Sequence, residues 1–212
     1  MELSMVKVVI EHLEPHLSKW LWIEYRHAAE IARGRLEFTN VKREDHFQAL
    51  SKLAPAHREG VLELHHPRDL VILDPRAATQ LSPEDVGNST ILVVGGILGD
   101  HPPRGRTYEL LTKRAKGARA RNIGAYQFSI DGAVYVALKV AEGVRLEDVP
   151  IKVGVAIRAP PLTIYLPYAY PLKDGRPIIS RELIEYLKSE VVRDEEALIR
   201  GEVPEVTTSR EG

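Results

Sequence analysis

The stretch ILVVGGILGDHPPRGRTYELL, residues 91–111, concentrates residue types able to do chemistry. An apolar run breaks at Gly95-Gly96, and Gly99-Asp100-His101 then lead through two prolines into a basic segment. Glycine turns between a strand and a helix let a ligand approach the main chain, because a residue without Cβ leaves that space open. The spacing G-G-x-x-G is not the G-x-G-x-x-G of dinucleotide sites, and the turn comes well into the chain instead of after its first strand. A phosphate loop needs a lysine and a hydroxyl residue directly after the glycines, where Asp100 and His101 stand. His12 and His16 have i, i+4 spacing, but Pro15 separates them and no third ligand accompanies them, so they read as exposed imidazoles. His65-His66 beside Pro67 reads as a loop, and no serine sits in a G-x-S-x-G elbow.

Composition narrows the classes further. A chain of 212 residues, 44% of them hydrophobic, can bury one core, or one core with a modest subdomain. Its 29 basic and 30 acidic residues leave a formal charge of -1, so nucleic-acid or membrane binding would rest on local patches. With no cysteine, disulfide scaffolds, thiolate zinc sites and cysteine nucleophiles are excluded together. The apolar positions before Glu11 are too few for a signal peptide or a membrane span. A soluble cytoplasmic protein without a bound metal is the expectation.

These residues need elements to hold them. Residues 6–10 read as a strand buried on both faces. Ser18 can cap a helix whose apolar positions Trp20, Leu21, Ile23, Ala28, Ile31 and Ala32 form one broad face before Gly34. Residues 36–39 suggest a second strand, 44–53 a helix stopped by Pro55, and 61–64 fit either state. The runs 69–75 and 90–96 are strongly apolar and end at turn residues, 108–116 read as a helix, and 120–124 as a strand end. Residues 129–142 read as a helix capped by Ser129 or Asp131. This alternation predicts an α/β protein with a mostly parallel sheet covered by helices on both faces. Such sheets bind ligands at the carboxyl ends of their strands, where the turns at Asp74, Gly95 and Gly124 fall. Beyond Pro150 a proline- and tyrosine-rich stretch reads as extended with a turn at Lys173-Asp174-Gly175, followed by a helix over 179–190.

Five pieces in order, VVIEHLEPHLSKWLWIEY, VILDPRA, VVGGILGDHPPRGRTYEL, RNIGAYQFSIDGAVYVA and LEDV, resemble the SPOUT-type protein arginine methyltransferases that modify a small-subunit ribosomal protein. The same family has been described as S-adenosylmethionine-dependent RNA methyltransferases. The resemblance spans essentially the whole chain and is sharpest at GGILGDHPPR and IEH. NIGAYQFSIDG is also similar to a loop of SPOUT transfer-RNA guanine methyltransferases, with Ala125 where an acidic residue is usual. The resemblance implies one SPOUT-like domain over 1–212, with a deep trefoil knot at about 69–150, an extended and helical segment at about 151–200 and a mobile tail at about 201–212. It also implies S-adenosylmethionine held by three turns: Leu73, Asp74 and Pro75; Gly95, Gly96, Ile97 and Gly99; Ile123, Gly124, Gln127 and Phe128. An apolar slot edged by main-chain donors and acceptors suits adenine.

The implied reaction is displacement at a sulfonium methyl, in which the enzyme mostly brings nucleophile and donor to about 3–3.5 Å. An arginine acceptor sets a guanidinium with a pKa above about 12 beside a cationic sulfonium, so carboxylates are expected to line the site. Glu11 is assigned to bind the guanidinium and receive its proton, Asp100 to share that task, His12 to help, and Arg104 to clamp a carboxylate or the cofactor's polar end. The implied partner is a small-subunit ribosomal protein, with Lys113, Arg114, Lys116, Arg119 and Arg121 available to ribosomal RNA. The remaining readings are an RNA methyltransferase and a non-catalytic ribosome-binding module, and under every reading the chain is expected as a monomer or a knot-mediated homodimer. Intact glycine turns and the IEH motif weigh against the non-catalytic reading.

Overall fold

A β-branched run at the start of the chain becomes the inner strand of a parallel sheet because it is apolar on both sides. A computed structural model describes residues 6–100 and 102–206. Strands β1 (Lys7–His12), β2 (Leu36–Thr39), β3 (Leu70–Leu73), β4 (Ile91–Gly96) and β5 (Arg119–Arg121) form one sheet in the order β2-β1-β4-β3-β5, every pair parallel. Alternate side chains supply two cores: Val8, Ile10, Leu92 and Val94 on one face, Val9, Leu70, Ile72 and Val93 on the other. Each such side chain contributes roughly 1.5–3 kcal/mol on burial.

Helix α1 (Lys19–Ala32) covers the first face with Leu21, Tyr25, Ala28 and Ala32. Ser18 caps it, its hydroxyl accepting from Leu21 N–H at 3.2 Å. Helices α2 (Glu44–Leu50) and α5 (Ile130–Ala141) pack on the same core, whereas the short α3 (Val61–Leu64) brings Val61 to the opposite face. Ser129, and not Asp131, caps α5 by accepting from Gly132 N–H.

Three elements differ from the sequence expectation. The helix expected over 108–116 is α4 (Arg106–Leu110), broken at Leu111, which leaves helical geometry (φ −129°, ψ −64°) to bury itself in the second core. The helix expected over 44–53 ends at Leu50. The segment after Pro150 is not merely extended: β6 (Ile151–Ala159) pairs antiparallel with β7 (Leu162–Lys173), which pairs with β8 (Arg176–Pro177). This hairpin and α6 (Arg181–Ser189) form a third core with Ile23 of α1, and a further helix, α7 (Val191–Ile199), follows. Residues 202–206, expected to belong to a mobile tail, lie against the body, where Val206 N–H donates to Leu17 O at 2.9 Å. The remaining tail, 207–212, lies outside the described residues.

Parallel strands place their carboxyl ends along one edge, so the turns after β1, β3, β4 and β5 meet there. Residues 122–128 run between two of these turns. On one side Leu81 N–H donates to Asn122 O (2.8 Å), Asn122 N–H to Thr79 O (2.9 Å) and Asn122 Nδ2 to Ala77 O (2.8 Å). On the other, the Gln127 amide donates to Asp100 O (2.6 Å) and accepts from Asp100 N–H (3.0 Å).

Candidate functional site

Between those turns lies a cavity of about 90 Å³, lined by Leu73, Asp74, Pro75, Gly95, Ile97, Ile123, Gly124, Gln127 and Phe128. Nine of the eleven residues assigned to the cofactor thus face one space. The loop over 123–128 can line it because Gly124 takes φ +112°, a conformation other residues rarely adopt. Asp74 is 1% exposed; its Oδ1 accepts from Arg76 N–H at 2.8 Å, while Oδ2 is buried and has no hydrogen-bond partner among the described residues. An orphaned carboxylate oxygen in an apolar wall is unfavourable unless a ligand brings a donor or a positive charge. S-adenosylmethionine carries hydroxyl, amine and sulfonium groups beside its adenine, so these residues fit it.

The other two glycines serve the backbone. A β-carbon on Gly96 would overlap the Tyr25 hydroxyl, so Gly96 abuts α1 and does not line the cavity. Gly99 is packed between Gln127 and Tyr168, each 2.6 Å from the β-carbon it lacks, and its carbonyl accepts from Tyr168 Oη at 2.9 Å.

A second cavity, of about 490 Å³, adjoins the first and shares Pro75, Ile97, Thr107, Tyr126 and Gln127 with it. Asp100 and Arg104 line it, together with Arg76 and Arg106. Arg106 ties the glycine turn together: Nε donates to Asp100 Oδ2 (2.7 Å), Nη1 to Glu14 Oε1 (3.0 Å) and Nη2 to Leu98 O (2.7 Å). Glu14 also accepts from Leu98 N–H at 3.0 Å. A planar fork is required for three such contacts at once.

Glu11 and His12 do not join this constellation. The Glu11 carboxylate points to the far face of the sheet, 6% exposed, and its Oε2 accepts from the Thr39 hydroxyl and from Val61 N–H (2.9 Å). Burial raises its pKa, with the Thr39 and Val61 donors opposing. His12, expected as an exposed imidazole, is 4% exposed and bonded at both nitrogens, Nδ1 to Tyr25 Oη and Nε2 to His46 Nδ1, each 2.9 Å. Strand alternation explains both: Glu11 and His12, the last two residues of β1, project to opposite faces of the sheet, neither of which is its edge.

The basic segment is less open than its composition suggests. Arg119 donates to Asp85 O and Arg121 clasps the Asp85 carboxylate, so both support the fold, and Lys113 pairs with Glu109 at 3.2 Å. Arg114 and Lys116 are exposed. Ligand-type atoms of Asp45, His46 and Glu205 converge within 4.8 Å, and the Arg43 guanidinium, bonded to Asp45 and Glu205, supplies the positive charge there.

Glu14, Arg76, Arg106, Thr107, Tyr126 and Ala133 are site residues that sequence reasoning does not reach. Tyr126 carried a signal, an aromatic beside Gly124 that the structure leaves 51% exposed between the two cavities. Arg106 and Thr107 open the helix after the glycine turn, and helix starts beside such turns commonly face ligands.

Comparison with known proteins matches this architecture. The family model for SFM1-like protein arginine N-methyltransferases matches residues 7–194. Protein arginine N-methyltransferase SFM1 of Saccharomyces cerevisiae is 30% identical over 208 residues, covering 87% of this chain and 95% of the yeast protein. The crystal structure of yeast SFM1 complexed with SAM has a TM-score of 0.78 at 27% identity, over 88% of this chain and 92% of that one. A dual-specific Trm10 from Thermococcus kodakaraensis, TM-score 0.55 at 18% identity over 68% of this chain and 96% of that one, shares the fold. The mostly parallel sheet with helices on both faces is thus that of SPOUT-fold proteins. With a family model reaching from β1 into α7 and a yeast relative aligned over nearly its whole length, the chain belongs to the SFM1-like protein arginine N-methyltransferase family.

Proposed function

We propose that this chain transfers the methyl group of S-adenosylmethionine to an arginine of a protein, and that the acceptor is a small-subunit ribosomal protein. The observation that carries the reading is the pair of adjoining cavities at the strand ends, one with an orphaned carboxylate oxygen in an apolar slot, the other with Asp100 at its wall. Its family relative in yeast, SFM1, solved with SAM and with SAH, supports the cofactor.

When bound, S-adenosylmethionine supplies a methyl group activated by a positively charged sulfur. Leu73, Ile123 and Phe128 would exclude water around the adenine, and Asp74 Oδ2 would accept a donor from the cofactor. Asp100 is the carboxylate assigned to the acceptor in place of Glu11. Its Oδ2 is engaged by Arg106, so Oδ1 holds the guanidinium and takes up the proton released on methylation. Arg106 and Glu14 fix that carboxylate's direction and thereby the nucleophile's approach. The passage of 122–128 between two bonded turns supports the expected knot over about 69–150. The exposed Arg114 and Lys116 are the surface cations available to ribosomal RNA, and a ribosomal acceptor implies a cytoplasmic site of action.

The test is incubation with labelled S-adenosylmethionine and dissociated ribosomal subunits. Label in a small-subunit protein, recovered as methylarginine after hydrolysis, is expected. Label in RNA would replace the protein acceptor with a nucleic-acid one.

A further inference from the structure

Four side chains form a hydrogen-bonded wire from the C-terminal segment to the glycine turn. Tyr25 Oη lies 3.3 Å from Gly96 O and 2.9 Å from His12 Nδ1; His12 Nε2 lies 2.9 Å from His46 Nδ1; His46 Nε2 lies 3.2 Å from Glu205 Oε2. Tyr25, His12 and His46 are buried, and Glu205 reaches them from the surface. Around His46 stand His12, Asp45, Arg43 and Glu205, and Glu205 is also bonded to His16 (2.5 Å) and Arg43 (3.0 Å).

The directions of these bonds follow from one end. Partial burial opposes ionisation of Glu205, but donors from His16, Arg43 and His46 lower its pKa to about 2, so it only accepts. His46 must then donate from Nε2, which makes its Nδ1 an acceptor when the ring is neutral. His12, kept neutral by burial with a pKa lowered to about 4, therefore donates from Nε2 and accepts at Nδ1. Tyr25 holds one proton, and with His12 Nδ1 an acceptor that proton lies chiefly toward His12, leaving its donation to the Gly96 carbonyl the longer and weaker bond. The distances agree: 2.9 Å is ordinary for the Tyr25–His12 bond, whereas 3.3 Å is long for a hydroxyl donating to the Gly96 carbonyl.

We propose that His46 and Glu205 are positioning residues for the cofactor turn: Glu205, when docked, polarises the wire away from Gly96, and its departure reverses every bond so that Tyr25 donates to Gly96 O. Reversal moves one proton within each imidazole from Nε2 to Nδ1 and rotates the Tyr25 hydroxyl, so no charge is created. The reversed bond draws in the Gly96 carbonyl, and with it the neighbours Gly95 and Ile97 that line the first cavity. The inference rests on the cofactor reading above and adds to it a coupling between that cavity and the segment at residues 203–206.

Nitrogen-15 spectra of histidine-labelled protein separate the tautomers without any ligand. His12 and His46 are expected as Nε2–H tautomers in the wild type and as Nδ1–H tautomers in Glu205→Ala. Glu205→Gln, whose amide oxygen still accepts, is expected to keep the wild-type pattern. Calorimetry should show S-adenosylmethionine binding weakened about three- to tenfold in Glu205→Ala and restored in Glu205→Gln, the scale of one net hydrogen bond. Nδ1–H tautomers in the wild type, or reversed tautomers with unchanged affinity, would overturn the proposal. A wild-type protein that bound no S-adenosylmethionine would instead overturn the cofactor reading and the coupling with it, while the spectra still reported the wire.

Discussion

Gly96 and Tyr25 meet so closely that a β-carbon on the glycine would overlap the tyrosine hydroxyl and lie 2.8 Å from the Glu11 carbonyl. A backbone carbonyl inside a parallel ladder cannot give way as the end of a flexible side chain can. Gly96→Val is therefore expected to damage the fold before it damages the cavity. Overpacking of a rigid core typically costs about 1–3 kcal/mol, or roughly 2–12 °C in melting temperature for a chain of this size. Thermal denaturation measures it, and an unshifted melting curve would show that the strand relaxes around the methyl groups.

Glu11 has a different consequence from the one its sequence position suggests. Its carboxylate is held by Thr39 and Val61, away from both cavities, so Glu11→Gln is expected to leave methyl transfer within about threefold of wild type. The effect should appear in stability instead. A carboxyl whose folded pKa is raised by burial favours the fold below its unfolded value and loses that contribution as pH rises through the folded one. The melting temperature of Glu11→Gln relative to wild type should accordingly rise between pH 4 and pH 8. A large rate loss at unchanged stability would return Glu11 to the reaction.

Arg106 is the third residue whose replacement should be telling. Lysine keeps the charge but cannot serve Asp100, Glu14 and Leu98 O together. Losing charge-assisted bonds of about 1.5–3 kcal/mol predicts a fall in kcat/KM of roughly ten- to a hundredfold for Arg106→Lys. Initial rates at varied acceptor concentration measure it, and a fall confined to the S-adenosylmethionine KM would move Arg106 from the acceptor cavity to the cofactor.

The sequence made the parallel sheet legible because buried strands declare themselves as short β-branched runs stopped by turns, as at 69–75 and 90–96. The first cavity at the strand ends was legible for the same reason: much of its lining comes from the residues directly after those runs. Side-chain direction was not. Gly96 and Gly95 are adjacent, yet one abuts α1 and the other lines the cavity, and a string of letters does not say which. The wall of the second cavity depended on Glu14 meeting Arg106, 92 positions apart, and that meeting is a product of the sheet order. The hairpin β6–β7 was missed because prolines at 160, 161, 167 and 171 hid its pairing.

A buried charge cluster beside α5 sets the pH dependence. Burial and the charge of Asp131 push the Glu24 carboxyl well above the usual carboxylate range, while its oxygens accept from Trp20 Nε1 (2.7 Å) and Ile130 N–H (2.9 Å). Burial lowers the His27 pKa, but the hydrogen bond and charge of Asp131 outweigh it and the net shift is upward. Both folded values exceed the unfolded ones, so the folded chain holds protons that the unfolded chain has released, and stability falls as pH rises. His12, lowered to about 4, acts in the opposite sense only below its unfolded value near 6.5. Melting temperature should therefore fall by about 3 °C or more from pH 7 to pH 9, and less in Glu24→Gln. A flat profile in the wild type would contradict the assignment.

Asp74 supports a prediction in which stability and binding move in opposite directions. Its Oδ1 is satisfied by Arg76 N–H, and asparagine can keep that bond. Its Oδ2 has no partner among the described residues, so in the free protein it is a buried acceptor left unsatisfied. Replacing that oxygen with an amide NH2 removes the charge, and Asp74→Asn should melt at the wild-type temperature or above it. Under the proposed cofactor role binding should suffer, because an acceptor would become a donor facing a donor. Mismatch of a charge-assisted bond predicts S-adenosylmethionine affinity lower by roughly ten- to a hundredfold. S-adenosylhomocysteine, which lacks the positive charge on sulfur, separates two causes. An equal loss for both ligands assigns Oδ2 to a hydroxyl or amine that they share, and a loss confined to S-adenosylmethionine assigns it to the sulfonium. Calorimetry with both ligands, set beside the melting curve, decides between them, and unchanged affinity for both would remove Asp74 from the cofactor site altogether.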